Sequence, residues 1–331
     1  MNIAIVGATG NVGRKILEVL EKKEFPIDNL YLVASSKSVG SKIKFRGQEH
    51  EILDLDDFDF SKAKITFFAA GGKISEKFVQ EASKKSMIID NSSFFRMDPD
   101  VPLIVPQVNS EDLKKIKKNI IANPNCSTAQ LVIALKPLHD LFGIKRAVIS
   151  TYQSVSGGGK AQMDELIEQT KLVINNKKVV SKNFTKQIAF NAIPHIDAFV
   201  DEGYTKEELK MVNETKKILD KNIELTATCV RIPVFISHAE SINIEFEKEF
   251  TLEKISEALN ASDGCKVIDE RKDGGYITPV EAAGKNETFI SRIRKDNSNK
   301  KAVNLWCVSD NLLRGAALNA VEIAEAYIKN K

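Results

Sequence analysis

One cysteine, Cys126, follows Asn-Pro-Asn and precedes Ser-Thr where an apolar strand-like run (120–122) gives way to a helix-like run (128–138). Pro124 holds Asn123 extended, and Asn125 suits a turn or cap. A thiol at a helix start lies beside unpaired amides and the positive end of the helix dipole, which favour the thiolate. Next to a nicotinamide such a thiolate has a use. It adds to an aldehyde, the hemithioacetal gives up hydride, and a thioester remains. A buried structural cysteine is the competing account, and spacing alone does not choose between them.

A second chemical signal opens the chain. In "GATGNVG", Gly7, Gly10 and Gly13 fall between an apolar strand (2–6) and a helical pattern (11–23). The spacing is GxxGxxG rather than GxGxxG. The physics is shared: glycines allow a tight turn, and the helix start offers amides to a pyrophosphate. Gly7, Thr9, Gly10, Asn11, Val12 and Gly13 are therefore candidate dinucleotide contacts. The next strand (30–34) ends in Ser35, Ser36, Lys37 and Ser38, where NAD sites usually carry an acid. Hydroxyls and a lysine suit a 2′-phosphate, so NADP is the expected cofactor.

The elements that must position these residues follow from hydrophobic period. Strand patterns at 2–6, 30–34, 65–70 and 87–90 alternate with helical patterns at 11–23 and 75–85, which implies a parallel sheet with right-handed crossovers. Segments 43–45 and 50–55 read as an antiparallel ribbon around Arg46-Gly47. Beyond Cys126 the texture changes. Long strands are expected at 146–155, 224–234, 239–250, 288–296 and 301–310, a helix at 207–219, and one continuous helix over 311–331. The second sheet reads as antiparallel-leaning with helices on one face. The expected organisation is 1–125, 126–310, and a terminal helix (311–331) that returns to the first domain.

Composition narrows the classes. A chain of 331 residues with 43% hydrophobic residues can bury a large core. Its net charge of +3, without a long basic block, argues against nucleic acid or a membrane surface as partner. No apolar run reaches the roughly 18 residues of a membrane span, and "MNIAIVGATG" reads as strand and turn; a cytoplasmic protein is expected. The four cysteines, Cys126, Cys229, Cys265 and Cys307, form no CxxC pair, so no metal site is expected.

"NPNCST" together with "GATGNVG" closely resembles aspartate-β-semialdehyde dehydrogenases. So do, in order, "DNSSFFRMDPDVPLIVPQVN" (90–109), "TYQSVSGGGK" (151–160), "IPHID" (193–197), "VNETKKIL" (212–219), "ATCVRIPV" (227–234), "SHAES" (237–241) and "SDNLLRGAALNAV" (309–321). The likeness spans nearly the whole chain and is greatest to the short bacterial branch typified by Gram-positive enzymes. It implies an α/β fold: an N-terminal Rossmann-like parallel-sheet domain plus an α+β catalytic and dimerisation domain with a largely antiparallel sheet.

The resemblance also implies roles. Cys126 matches the nucleophile, Gln153 the residue that orients the semialdehyde, and His238 the acid–base group. Arg231 matches the arginine that grips the substrate carboxylate, with Glu214 as receiver of its ammonium. Arg96 and Lys217, helped by Asn125, match the phosphate site. Ser156, Gly157 and Asn311 match contacts to the nicotinamide half of NADP. The implied reaction interconverts L-aspartyl 4-phosphate with L-aspartate 4-semialdehyde and inorganic phosphate, in a homodimer. The family often carries arginine where this chain has Lys37; lysine keeps the charge without the planar fork. Segment 274–279 also departs from the family. N-acetyl-γ-glutamyl-phosphate reductase shares the design but has Gly before and Tyr-Pro-Thr after its cysteine. A non-catalytic nucleotide-binding paralogue is the alternative of another class.

Overall fold

The computed structural model describes residues 1–330. The chain divides into two compact units, Met1–Asn125 with the segment from Ala316 onward, and Cys126–Gly315.

In the first unit, β1 (Asn2–Val6), β2 (Asn29–Ala34), β3 (Lys42–Phe45), β4 (Gln48–Asp54), β5 (Ile65–Phe68), β6 (Met87–Asp90) and β7 (Ile120–Ala122) form one sheet in the order β3-β4-β2-β1-β5-β6-β7. Every ladder is parallel except β3–β4. Helices α1 (Asn11–Lys22) and α2 (Gly72–Ala82) make two of the crossovers, and α3 (Pro106–Asn109) starts on a proline. The β3–β4 ribbon closes through Arg46 (φ 47°) and Gly47 (φ 80°), the paired positive φ values of a two-residue hairpin turn. Helix α1 buries Ile16, Leu17, Val19 and Leu20.

The terminal segment differs from the sequence expectation. A π-helical turn, Leu313–Ala317, precedes the final α-helix, Leu318–Lys329. Asp310 explains the break. Its Oδ1 accepts the amides of Leu312 (2.8 Å) and Leu313 (3.1 Å), and the Gly315 amide reaches back to the Asp310 carbonyl. A side-chain acceptor at the start thus favours a wider turn over the regular ladder. The final helix belongs to the first unit, where Asn319 Nδ2 donates to the Ile104 carbonyl (2.9 Å) and to the Asn123 side chain.

The second unit begins with α4 (Cys126–Phe142), longer than its 128–138 pattern. It holds Pro137, which cannot bond the Ile133 carbonyl; the Cys265 thiol donates to that oxygen instead (3.6 Å). Strand β8 (Ile144–Gln153), α5 (Lys160–Ile174), α6 (Lys206–Ile218), β9 (Glu224–Arg231), β10 (His238–Phe246), α7 (Leu252–Ala261), β11 (Cys265–Val267), β12 (Thr288–Lys295) and β13 (Ala302–Ser309) follow. The sheet order is β11-β12-β13-β10-β8-β9. The three central ladders are antiparallel; the outer ones, β8–β9 and β11–β12, are parallel. One sheet face packs Ile149, Ile242, Ile244 and Leu305 against Leu131, Leu135 and Leu138 of α4, Met211 of α6 and Leu259 of α7. On the other face Tyr152 and Trp306 lie half-buried with ring centroids 5.4 Å apart.

Candidate functional site

Strand register in the second unit gathers most of the predicted chemistry. Gln153, the last residue of β8, pairs with Arg231, the last of β9. His238 opens β10, one residue before the Ala239–Tyr152 pair. Gln153, Arg231 and His238 are all buried. Arg231 Nη1 donates to the Ser154 carbonyl (2.7 Å). A methyl placed on Gly157 would lie 3.1 Å from both Arg231 Nη1 and His238 Nε2. The loop thus runs close against both groups, and a side chain there would press on them.

Cys126 is the first residue of α4 and is partly exposed. It lies within the electrostatic reach of Arg231. Gly315 packs on it: a methyl there would sit 2.6 Å from Cys126 Cβ. Cys229 and Cys307 are buried in the core with their thiol pKa pushed up by desolvation. Cys265 is half-buried and likewise pushed up, to about 12. Thus Cys126 has the setting of a reactive thiol and the other three have that of small core residues.

His238 is fully enclosed. Burial, then the Arg231 charge, lower its pKa to about 3. Its Nδ1 accepts the Ser154 amide (3.0 Å) and lies 3.1 Å from Ser154 Oγ. An amide donor at Nδ1 leaves the proton of the neutral ring on Nε2, and among the described residues Nε2 has no hydrogen-bond partner. His238 therefore presents an N–H. The remaining histidines are accounted for locally. His139 Nδ1 accepts the Ile144 amide, His195 stacks on Phe199, and His50 meets Phe45 edge-on.

The acid beside this group is Glu207, a residue the sequence reading passes over. Its Oε1 takes a long hydrogen bond from Gln153 Nε2 (3.3 Å), its charge acts on Arg231, and it pairs with Lys210 (3.1 Å). Lys210 also holds Asp197 (2.7 Å). Glu214 and Lys217 lie on the same helical stripe but seven residues further on, about 10 Å along the axis. The missed signal is a capping box. Thr205 and Glu208 exchange bonds (3.3 and 2.8 Å) at the start of α6, and Glu208 Oε1 takes the Cys229 amide (3.1 Å). Thr-x-x-Glu is readable in sequence, and it places Glu207 in the first helical turn.

In the first unit, Gly7 has φ 84° and would meet the Ala69 carbonyl at 2.6 Å if it carried a Cβ; a Cβ on Gly13 would collide with the Gly7 carbonyl. The turn is thus a cradle that only glycines can form. Thr9, Asn11 and Val12 are half-buried around it, and Gly10 is exposed. The Gly7 amide bonds Val33 (2.8 Å), so the end of β2 lies beside the turn. There Ser35, Ser36 and Lys37 are exposed and Ser38 half-buried. Arg96 is buried, with Nε on the Asn123 carbonyl (2.8 Å) and Nη2 on that of Asn91 (2.9 Å); Asn125 is also buried. Ser156 and Asn311 are buried in the second unit and bond each other, while Gly157 is exposed.

Residues 2–116 match the semialdehyde dehydrogenase NAD-binding domain, and residues 135–314 match the semialdehyde dehydrogenase dimerisation domain. The chain is therefore an oxidoreductase of the semialdehyde dehydrogenase class. It is 50% identical to the aspartate-semialdehyde dehydrogenase of Aquifex aeolicus, over 99% of this chain and 98% of that one. The Vibrio cholerae aspartate semialdehyde dehydrogenase II, solved in complex with ASA, superposes with a TM-score of 0.97 at 45% identity, covering 99% and 98% of the two chains. The Candida albicans enzyme, solved with NADP, gives 0.74 at 25%, covering 98% and 97%. The chain belongs to the aspartate-semialdehyde dehydrogenase family.

Proposed function

We propose that the protein is an NADP-dependent, phosphorylating aspartate-semialdehyde dehydrogenase that reduces L-aspartyl 4-phosphate to L-aspartate 4-semialdehyde. The observation that carries this reading is the grouping of Arg231, Gln153, Glu207 and His238 in the unit opened by Cys126. The Cys126 thiolate displaces phosphate from the acyl carbon: the C–S bond forms, the C–O bond to phosphate breaks, and an enzyme-bound thioester results. Bound NADPH supplies a hydride. His238 Nε2–H hydrogen-bonds the oxyanion that forms when the thioester carbon takes the hydride, and breaking of the C–S bond then releases the semialdehyde and restores the Cys126 thiolate; in the reverse direction the same N–H stabilises the adduct of thiolate and aldehyde. Arg231 holds the α-carboxylate. Glu207, rather than Glu214, receives the α-ammonium, since it is Glu207 that bonds the Gln153 amide. Arg96, Asn125 and Lys217 remain phosphate candidates by resemblance, and Lys210 joins them as the cation next to Glu207.

The glycine cradle of residues 7–13 fits a pyrophosphate, and Ser35–Ser38 with Lys37 fit a 2′-phosphate better than a free ribose hydroxyl. Ser156, Gly157 and Asn311 come with the nicotinamide half by resemblance, and Gly157 is the exposed member. On this reading residues 1–125 hold the dinucleotide, 126–310 carry catalysis and dimerisation, and the enzyme is a cytoplasmic homodimer. Its product would feed lysine (through diaminopimelate), threonine, methionine and isoleucine synthesis. The test is absorbance at 340 nm with aspartate semialdehyde, phosphate and NADP⁺, with arms lacking phosphate or carrying NAD⁺. Phosphate-dependent NADPH formation that vanishes in Cys126→Ala is expected. Unchanged turnover in Cys126→Ala would refute the mechanism.

A further inference from the structure

We propose that Asp197 is a positioning residue for Lys210: its carboxylate, carried on the segment that pairs with Arg231, holds the lysine ammonium where it receives the phosphate. The inference rests on the reading of Lys210 as a phosphate contact. It gives the "IPHID" segment (193–197) a part in the chemistry.

Lys210 lies between two carboxylates. Its Nζ is 2.7 Å from Asp197 Oδ2 and 3.1 Å from Glu207 Oε2. The Glu207 side chain is 7% exposed, that of Lys210 25% and that of Asp197 36%, so the charges run outward from a buried acid to one at the rim. The backbone brings Asp197 to this place from both ends. Ahead of it, Ile193 and Arg231 exchange two backbone bonds of 2.9 Å. Behind it, the Lys206 amide donates to the Ala198 carbonyl (2.9 Å), and Phe199 bridges to Thr205, the cap of α6. Segment 193–199 thus ties the arginine of β9 to the start of α6, where Glu207 and Lys210 stand one helical turn apart.

The donor count shows what Asp197 adds. An ammonium has three N–H donors. Among the described residues its acceptors are the two carboxylates, so two donors are directed and the third is left for an oxyanion. Desolvation opposes both charges of the outer pair, yet the pairing holds Asp197 below its usual range, and the two acids hold Lys210 above its own. With Glu207 as sole partner, Lys210 would settle on that carboxylate, its i,i+3 neighbour, and turn away from phosphate. Asp197 balances that pull from the outer side. Its second oxygen has a separate task. Asp197 has φ 69°, and Oδ1 accepts the Ala198 amide (2.8 Å). Asparagine adopts such a backbone and keeps that bond through its carbonyl oxygen. Asp197→Asn therefore removes the charge and leaves the turn.

The test is steady-state NADPH formation with inorganic phosphate and semialdehyde varied in turn, on wild type, Asp197→Asn, Lys210→Ala and the double variant. In Asp197→Asn we expect KM for phosphate raised about tenfold, with KM for the semialdehyde and kcat at saturating phosphate within about threefold of wild type. The double variant should be no worse than Lys210→Ala, because one residue acts through the other. Asp197→Ser repeats the charge removal if the asparagine variant does not fold. An unchanged KM for phosphate without the Asp197 charge, or defects that multiply in the double variant, would overturn the proposal while Lys210→Ala still loses phosphate affinity. A merely structural Asp197 would lower the melting temperature and impair both substrates alike, which overturns it too. A wild-type KM for phosphate in Lys210→Ala would instead mark failure of the underlying reading, and the proposal falls with it.

Discussion

Replacing Gly315 by alanine tests whether the place of Cys126 is set by close packing. The added methyl would lie 2.6 Å from Cys126 Cβ, 2.9 Å from its Cα and 3.1 Å from its carbonyl oxygen. Carbon–carbon contacts settle near about 3.5–4.0 Å, so the two must separate by about 1 Å. Two of the three close atoms are backbone and the third, Cβ, is fixed to it, so rotation of a side chain does not relieve the clash. Either the first turn of α4 or the π-helical turn moves. A misplacement of about 1 Å in a reacting group reduces turnover by as much as about 100-fold, or about 2.7 kcal/mol in activation free energy. Overpacking itself costs about 1–3 kcal/mol of stability. Gly157→Ala is the internal control. Its methyl would lie 3.1 Å from the ends of two side chains, Arg231 and His238, which can retreat by tenths of an ångström. We expect kcat to fall between about 10- and 100-fold in Gly315→Ala and less than about tenfold in Gly157→Ala. Steady-state rates, iodoacetamide labelling of Cys126 and thermal melts would report this. A Gly315→Ala enzyme with wild-type rate, labelling and melting, or one less impaired than Gly157→Ala, would refute the reasoning.

Three further predictions concern buried ionisable groups. Glu207→Gln should raise KM for the semialdehyde by roughly 10- to 100-fold, the loss of one charge-assisted bond, whereas Glu214→Gln should raise it less; steady-state kinetics with varied semialdehyde decides between them. Glu240, one row below His238 on β10, is fully buried, and desolvation raises its pKa well above the usual range. The Gln130 side chain beside it offsets this only in part. Above the ordinary carboxylate pKa the folded state keeps a proton that the unfolded state releases, so stability falls with rising pH by up to about 1.4 kcal/mol per unit. Glu240→Gln should remove that slope and gain more at pH 8 than at pH 6 in denaturant titrations. His238 acts with the opposite sign: its lowered pKa makes stability fall as pH drops from about 6.5 toward 3, and His238→Gln should flatten that limb.

Local patterns in the chain carried the fold class and the family. The alternation of 2–6, 11–23, 30–34, 65–70, 75–85 and 87–90 is enough for a parallel sheet, because strand and helix periods are local properties and parallel neighbours require crossovers. Arg46-Gly47 announces a hairpin for the same reason. Collinear motifs from residue 7 to 321 identify the family. Tertiary structure alone decided which groups meet. Gln153 and Arg231 are 78 residues apart and become neighbours through the register of β8 and β9; Glu207 joins them because Thr205 and Glu208 fix where α6 begins. The parallel outer ladders, the π-helical turn after Asp310 and the proton on Nε2 of His238 likewise depend on partners distant in the chain or on a single side-chain acceptor. Hydrophobic period does not encode such partners, since it reports which face is buried and not what lies against it.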